Sequence, residues 1–115
     1  MILPIILDCI HDEDEERRLT SIVLIDELCE TLGEEVCREH LMYDFVSLQD
    51  DSAFKIRREL VTRLIRISKV MGEQIFLGVI IPVFRKLSQD SIWSVRKACV
   101  EILPEISKIS SEEVK

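Results

Sequence analysis

The chain repeats its own sequence at a period of 39 residues. Shifting the sequence by that interval aligns three aspartates and, six residues after each of them, three arginines: Asp12, Asp51, Asp90, Arg18, Arg57 and Arg96. Residues 34–72 and 73–111 are identical at 11 aligned positions, whereas ordinary residue usage gives about two or three by chance. A period of this length restricts the chain to a repeat architecture, because each unit must be one small supersecondary structure.

Each unit carries two stretches in which the apolar residues fall on one face of an α-helix. In the first stretch they are spaced i, i+1, i+4 and i+7, and in the second they recur at every third position. The first-stretch residues are Ile2, Leu3, Ile6 and Cys9, then Leu41, Met42, Phe45 and Leu48, then Ile80, Ile81, Phe84 and Leu87. The second-stretch residues are Ile22, Ile25 and Leu28, then Val61, Leu64 and Ile67, then Val100, Leu103 and Ile106. Each unit is therefore predicted to be two helices joined by a turn at the aspartate.

The predicted fold is all-α, a right-handed superhelical stack of helix pairs. One pair cannot bury its apolar faces alone, whereas stacked pairs bury them against each other as an α-solenoid. We predict the helix pairs near 1–11 and 14–32, 34–49 and 52–71, and 73–88 and 91–109. The single domain divides into repeats at 1–33, 34–72 and 73–111, with a further repeat beginning at 112–115.

Glycine and serine residues mark the predicted helix ends. Gly33 and Gly72 follow the second helices of their units and suit the left-handed position beyond a helix C-terminus. Ser52 and Ser91 follow the turn aspartates, so we predict that their hydroxyl groups cap the next helices.

The composition excludes several classes of partner. Hydrophobic residues make up 47% of the 115 residues and charged residues 32%, as in folded globular domains. The net charge of −7 argues against binding to nucleic acid or to anionic membranes, because both require a basic surface. No apolar run reaches the length of a bilayer span.

The residues that most often carry chemistry show no arrangement typical of a site. The four cysteines, Cys9, Cys29, Cys37 and Cys99, lack the C-x-x-C spacing of zinc and redox sites. They fit core positions in a reducing compartment, with disulfides or a metal site as alternatives. His11 and His40 have no partner at ligand spacing, and no nucleophile or phosphate-binding motif occurs. We expect no catalytic residue, no cofactor and no metal.

The units resemble a known repeat family. Segments of about 39 residues with an aspartate in the turn and an arginine six residues later resemble HEAT repeats, most of all those of the protein phosphatase 2A scaffold subunit. The third unit, IIPVFRKLSQDSIWSVRKACVEILPEIS, is similar to the regulatory subunit 1 family of protein phosphatase 4. The matching residues are Pro82, Phe84, Leu87, Asp90, Trp93, Val95, Arg96, Lys97, Ala98, Cys99 and Glu101. The first unit departs from this pattern, because the acidic residue Glu15 occupies the position of the aromatic residue.

The resemblance implies a non-catalytic subunit that holds a serine/threonine phosphatase catalytic subunit, of the phosphatase 4 or 2A type, and orients it toward substrates. In the phosphatase 2A scaffold family, partner subunits dock on the ridge made by the turns within the units. The alternative is a HEAT protein of another class, such as a nuclear transport receptor or coat component, which binds cargo or a small GTPase. A purely structural segment of a long solenoid is a third reading. The expected location is the cytoplasm, with the nucleus as a second compartment.

Two sets of residues recur at the turns. The repeated aspartates and arginines are predicted to form a structural ladder between units through charge-assisted hydrogen bonds, with an anion or partner contact as the alternative. Phe54 and Trp93 occupy equivalent positions at the start of second helices, and Arg58 and Lys97 follow them by four residues. These four residues either plug the space between units or bind a partner protein from the turn ridge.

Negative charge is concentrated in the first unit. Residues 1–39 carry 12 acidic and three basic residues, against 10 and 12 in the rest of the chain. The run from Asp12 to Glu16 is predicted to be a solvated turn whose acids favour a helix N-terminus, with a docking patch for a basic partner as the alternative.

The ends of the sequence fall out of phase with the repeat, so we expect a piece of a longer solenoid. Without polar capping units, both end faces are expected to expose apolar side chains and to cause self-association.

Overall fold

A computed structural model describes the backbone of residues 2–114 and the side chains of residues 3–109. Within that range the chain forms seven helices: α1 (Ile2–Ile10), α2 (Glu15–Leu32), α3 (34–50), α4 (Phe54–Thr62), α5 (Leu64–Met71), α6 (73–87) and α7 (Trp93–Val114). Unit 1 consists of α1 and α2, unit 2 of α3 with α4 and α5, and unit 3 of α6 and α7. α2 packs against α4 and α5, and these pack against α7, so the second helices lie side by side. The prediction of an all-α repeat solenoid is confirmed.

One apolar core runs through the three units. The predicted stripe of α3 is buried at all four positions, and so is the stripe of α4 and α5; the residues are Leu41, Met42, Phe45, Leu48, Val61, Leu64 and Ile67. Full burial of each such side chain contributes about 1.5–3 kcal/mol relative to exposure. This continuous core stabilises the stack both within and between units, as a solenoid requires.

The core assignment of Val100 and Leu103 is wrong. Their side chains are 67% and 46% exposed, whereas their counterparts in unit 2, Val61 and Leu64, are buried. No described helix pair packs on the outer side of α7, so the apolar stripe there faces solvent. α7 instead enters the core through a neighbouring face formed by Val95, Ala98, Cys99, Ile106 and Ile109.

α3 and α6 share an irregularity that the apolar spacing does not predict. Each contains a π-helical turn, at Cys37–Leu41 and Phe76–Ile80, and the two turns are 39 residues apart. Pro82 follows the turn in α6, but its counterpart in α3 is Tyr43, so proline does not cause the irregularity. The first and last residues of both turns are buried, so the wider turn keeps the apolar stripe aligned with the core.

Single glycines connect the units. α2 ends at Leu32 and α3 begins after Gly33, which has φ 89° and ψ 160°; Gly72 joins α5 to α6 with φ 85° and ψ −177°. The positive φ agrees with the predicted helix-ending role, but the predicted left-handed helical conformation is wrong because ψ is extended. Glycine populates this region almost exclusively, because a Cβ atom would be strained there.

The N-cap residue of α4 is Ala53, which has no side-chain cap, so the predicted cap by Ser52 is wrong; the turn aspartates bond the backbone just before the second helices. Oδ1 of Asp51 accepts a hydrogen bond from the backbone N of Ala53 at 2.9 Å, and Oδ1 of Asp90 accepts one from Ile92 at 2.9 Å. A carboxylate that accepts a hydrogen bond from the backbone N two residues later forms an Asx turn, which satisfies that N–H and shapes the turn ahead of the helix.

Candidate protein-interaction surface

The turn of unit 1 is tied to the turn of unit 2 by one arginine. Nε and Nη2 of Arg18 donate to the two carboxylate oxygens of Asp51 at 2.8 and 3.2 Å. Nη1 of the same guanidinium donates to the backbone oxygens of Asp12 and Glu13 at 3.1 and 3.0 Å. Arg18 therefore closes its own turn and bonds the next unit in a bidentate geometry that few other side chains can form.

Units 2 and 3 repeat this arrangement. Nε and Nη2 of Arg57 donate to Asp90 at 2.7 and 3.1 Å, and Nη1 donates to the backbone oxygen of Asp51 at 2.7 Å. These hydrogen bonds hold the pKa of Asp90 below its ordinary value and raise the pKa of Arg57. Both side chains are largely buried, so the interaction is little screened by solvent.

The last arginine of the series is bonded only within its own turn. Nη1 of Arg96 donates to the backbone oxygen of Asp90 at 2.6 Å. Among the side chains of residues 3–109, no carboxylate lies within ion-pair distance of its guanidinium. At the start of the series, the carboxylate of Asp12 contacts Arg17 of its own turn at 3.3 Å.

Next to the arginine series, two aromatic residues each lie beside a cation. The Nζ atom of Lys97 is 5.4 Å from the ring centre of Trp93, and the guanidinium carbon of Arg58 is 5.6 Å from the ring centre of Phe54. Trp93 is 64% exposed and Phe54 is 37% exposed. We call these four residues the aromatic–cation ridge. The pairs are spaced i, i+4 on the first turn of α7 and α4, so each cation lies over its ring with little loss of freedom.

A groove opens beside Trp93 on the outer side of unit 3. It has a volume of about 680 Å³ and is mostly apolar; its walls include Phe84, Trp93, Arg96, Lys97, Val100 and Leu103. An exposed aromatic ring beside an apolar groove and two cations can bind a protein segment that offers an apolar side chain and a carboxylate.

An ion cluster that the sequence did not predict joins units 1 and 2. Asp26 of α2 is buried, and its Oδ2 accepts a hydrogen bond from Nη1 of Arg63 at 2.8 Å. Arg63 also donates to Glu59 at 3.0 Å, and the bond to Asp26 raises the pKa of Arg63. The position of Asp26 on the face that carries Ile22 and Cys29 was the available signal, because a carboxylate on an apolar face needs a partner.

This cluster lies at the interruption between α4 and α5. Arg63 separates the two helices with φ −96° and ψ 1°, outside the helical region, and no break occurs at the equivalent position of α2 or α7. The bond to Asp26 therefore coincides with a break in the helix that the second helices of units 1 and 3 lack.

The acidic turn of unit 1 is locally bonded. Oδ1 of Asp12 accepts a hydrogen bond from the backbone N of Asp14 at 2.8 Å, and Oδ1 of Asp14 accepts one from Glu16 at 3.2 Å. Asp14 thereby caps α2, and Glu15 and Glu16 lie in its first turn, where negative charge is favoured.

The cysteines lie inside the stack. Cys29, Cys37 and Cys99 are buried and Cys9 is half-buried, all with free thiols. Burial raises the pKa of Cys29 and of Cys99 to about 11, and raises that of Cys37. In the part of the chain that the structure describes, no group of three His, Cys, Asp or Glu side chains is close enough to hold a metal ion. Likewise, no helix in the described part of the chain combines the length and apolarity needed to cross a membrane.

Comparison with known proteins places one repeat in a family. Residues 80–110 match the family model of the HEAT repeat. The matched segment includes the second half of α6, the turn with Asp90 and most of α7, and thus Trp93 and Lys97. No curated protein matches the chain.

Proposed function

From an α-helical repeat solenoid with a HEAT repeat at residues 80–110, we propose a non-catalytic scaffold that binds other proteins through the aromatic–cation ridge. One observation carries this proposal: consecutive units present an exposed aromatic ring beside a cation, Phe54 with Arg58 and Trp93 with Lys97. Aromatic residues and arginine are enriched among the residues that dominate binding energy in protein interfaces.

The specific partner that we propose is the catalytic subunit of a serine/threonine phosphatase, of the phosphatase 4 type first and the 2A type second. The support is the similarity of unit 3 to the regulatory subunit 1 family of phosphatase 4. Many of the shared residues serve the packing of the repeat itself, such as Leu87, Val95 and Cys99, which are buried. Trp93 and Lys97 are exposed and have no such role, so they are the shared residues best suited to contact a partner.

The proposed mechanism is positional. Arg18 and Arg57 fix the spacing of successive turns, so the ridge residues of units 2 and 3 stand at a defined separation. A rigid pair of contacts lowers the entropy lost on binding and thereby favours one orientation of the partner. Metal and phosphoryl chemistry belongs to the partner in this proposal.

A binding experiment tests the proposal at two levels. The 115-residue chain is immobilised and its affinity is measured for the phosphatase 4 and 2A catalytic subunits and for a small GTPase loaded with a GTP analogue. We expect binding to a phosphatase subunit, weakened about tenfold or more by the double change Trp93→Ala and Lys97→Ala. Tyr43→Ala is the matched control, because Tyr43 is an exposed aromatic residue of α3 outside the ridge.

The outcomes separate the partner from the surface. If the chain bound the GTPase and no phosphatase, the proposed partner would be wrong, and the chain would resemble a transport receptor or coat protein in its binding. If the ridge variant still bound the phosphatase, the proposed partner would stand, but the ridge would not be its binding surface. Binding to none of the three would favour a purely structural segment.

A further inference from the structure

The exposed face of the second helices changes its charge at unit 2. Arg66 of α5 lies at the repeat position that Glu27 occupies in α2 and Glu105 in α7, and all three side chains are exposed. One turn further along, exposed Lys69 takes the position of exposed Glu30. α2 and α7 pack on either side of α4 and α5, so this surface lies in the middle of the stack. Its exposure therefore does not depend on where the stack ends.

Residues 54–71, which contain α4 and α5, are basic in a chain that is acidic overall. They include six basic residues and one acidic residue, a net charge of +5, whereas the whole chain has a net charge of −7. Residues 15–32, which form α2, include two basic and five acidic residues, a net charge of −3. Attraction of an acidic ligand is therefore concentrated on the second helices of unit 2.

Only part of this positive charge is used inside the fold. Arg57 and Arg63 form ion pairs with carboxylates of the neighbouring units. Lys55, Arg58 and Lys69 have no carboxylate within ion-pair distance among the side chains of residues 3–109. The opposite charges on adjacent helices are thus not consumed by ion pairs between those helices, and three cations remain available to a ligand.

Arg66 is anchored on one side and open on the other. Its Nη1 donates to the backbone oxygen of Asp26 at 3.2 Å, and its Nε lies 3.7 Å from Oδ1 of the same residue, too far for a hydrogen bond. The charge of Asp26 is compensated by Arg63, whose Nη1 is 2.8 Å from Oδ2. The side chain of Arg66 is 48% exposed. A guanidinium that is already oriented in this way loses less freedom when it binds a carboxylate.

A polar pocket lies beside these cations, between α2 and α5. Its volume is about 360 Å³, and its walls are formed by Asp26, Glu30, Thr62, Ile65, Arg66 and Lys69. The free cations stand on the α5 wall, and Glu30 stands on the α2 wall. A carboxylate that enters the pocket is therefore attracted to Arg66 and Lys69 and repelled from the opposite side.

The cations continue along the helix toward the turn ridge. Thr62, Arg66 and Lys69 share the pocket, and Arg58 lies one turn before Thr62 in α4. We call these four residues the basic stripe. At 1.5 Å per residue the stripe is about 16 Å long, which is the length of about five residues of an extended peptide.

We propose that the basic stripe binds an acidic segment of a partner protein, with one carboxylate between Arg66 and Lys69 and another at Arg58. Glu27 and Glu105 on the neighbouring helices repel a segment displaced to either side, and so keep it along α4 and α5. The same acids disfavour nucleic acid, whose closely spaced phosphates require a broader basic surface. This inference goes beyond the proposed function, because it applies to any partner that carries such a segment.

Fluorescence anisotropy of a labelled hexaglutamate peptide, titrated with the 115-residue chain, tests the proposal without any phosphatase. We expect saturable binding that weakens as the salt concentration rises, because exposed charges are screened. Lys69→Glu should weaken binding about tenfold or more, because a like charge then faces the peptide. Arg85→Glu is the matched control, since it makes the same charge change at an exposed residue of α6 outside the stripe.

A second pair of variants tests the location of the site by a gain of affinity. Glu30→Lys puts a cation on the α2 wall of the pocket, and we expect it to strengthen peptide binding about tenfold. Asp8→Lys makes the same charge change at an exposed residue of α1, outside the stripe and the pocket, and should have little effect. A gain of affinity cannot result from loss of folding, so this pair remains decisive even where Lys69→Glu lowers stability.

Several results would overturn the proposal. One is the absence of saturable peptide binding to the native chain at low salt. Another is an equal loss of affinity in Lys69→Glu and Arg85→Glu, or an equal gain in Glu30→Lys and Asp8→Lys, because net charge alone would then govern binding. A third is tighter binding of a single-stranded oligonucleotide than of the peptide, with the same dependence on Lys69, which would make the stripe a nucleic-acid site.

Discussion

The guanidinium of Arg57 bonds Asp51 and Asp90 at the same time. It donates to the backbone oxygen of Asp51 at 2.7 Å and to the carboxylate of Asp90 at 2.7 and 3.1 Å. A single guanidinium thus closes the turn of unit 2 and fixes the position of unit 3. Its removal leaves the largely buried carboxylate of Asp90 without an ion-pair partner. The effect of a substitution should therefore exceed that of a surface ion pair.

We expect Arg57→Ala to lower the free energy of unfolding by about 2–4 kcal/mol, measured by urea denaturation. Arg38→Ala provides the control, because Arg38 forms an exposed i, i+4 pair with Glu34 and should change stability by less than about 0.5 kcal/mol. Equal effects of the two substitutions would show that the buried bond of Arg57 contributes no more to stability than an exposed ion pair.

Stability should fall in acid because of Asp90. Bonding to Arg57 lowers the pKa of this carboxyl in the folded state below its value of about 3.9 in the unfolded chain. The resulting stabilisation is complete above the unfolded pKa and is lost as the pH falls through the folded pKa. We expect the unfolding free energy of Asp90→Asn to depend less on pH than that of the native chain below about pH 5. Parallel curves for the two proteins would contradict this.

The pair of Asp26 and Arg63 should be replaceable by apolar residues. Arg63→Leu alone leaves the carboxylate of Asp26 buried with only Arg66 nearby, at 3.7 Å, and should cost about 2–4 kcal/mol. The equivalents of Arg63 in units 1 and 3 are Leu24 and Ile102, and the equivalent of Asp26 in unit 2 is Ile65. We expect the double variant Asp26→Ile with Arg63→Leu to recover most of the loss, as thermal unfolding would measure. A double variant less stable than Arg63→Leu would contradict the expectation.

The connecting glycines should resist substitution for a reason of backbone conformation alone. A Cβ atom on Gly33 or Gly72 would meet no atom within 4 Å, yet the positive φ strains any other residue. Gly33→Ala and Gly72→Ala should each cost about 1–3 kcal/mol. Gly78 also has open space but has no positive φ, so Gly78→Ala is the control and should be neutral or slightly stabilising. The denaturant midpoints of the three variants measure these differences.

Thiol labelling should follow burial. At pH 8 the thiolate fraction of Cys29 and Cys99, each with a pKa of about 11, is on the order of one in a thousand, and both side chains are shielded. We expect iodoacetamide to modify half-buried Cys9 first, and the buried cysteines only after unfolding, as peptide mass spectrometry would measure. Early modification of Cys29 or Cys99 in the native chain would contradict the packing.

The repeat period carries most of the information that the sequence holds about the fold. The spacing of apolar residues is local, so it predicted the helix pairs and most of their ends, but neither the break at Arg63 nor the extension of α7 to Val114. The exposure of Val100 was not predictable in this way, because burial depends on whether another helix pair covers the position. Similarly, the partner of Asp26 lies 37 residues away on another helix, and no local pattern indicates which of several arginines it bonds.

The candidate surface was only partly accessible from sequence. The equivalence of Phe54 and Trp93 followed from the period, and a basic residue four positions later suggested a pair on one helix face. The exposed fraction of each ring follows from the neighbouring helices and required the structure. The bonding of the turn aspartates to backbone N–H groups also depends on turn geometry. The sequence instead suggested the two neighbouring serines as caps.

The single-residue connectors determine where this molecule can deform. A glycine held between two helices has only φ and ψ to vary, and both helices are fixed by their packing. Bending the stack therefore cannot be absorbed in a slack linker. It must shear the contacts between units, where Arg18 and Arg57 resist displacement of one turn past the next. The mechanical compliance of the chain thus resides in its interfaces, so a load applied at one unit is transmitted to the others instead of being dissipated at a joint.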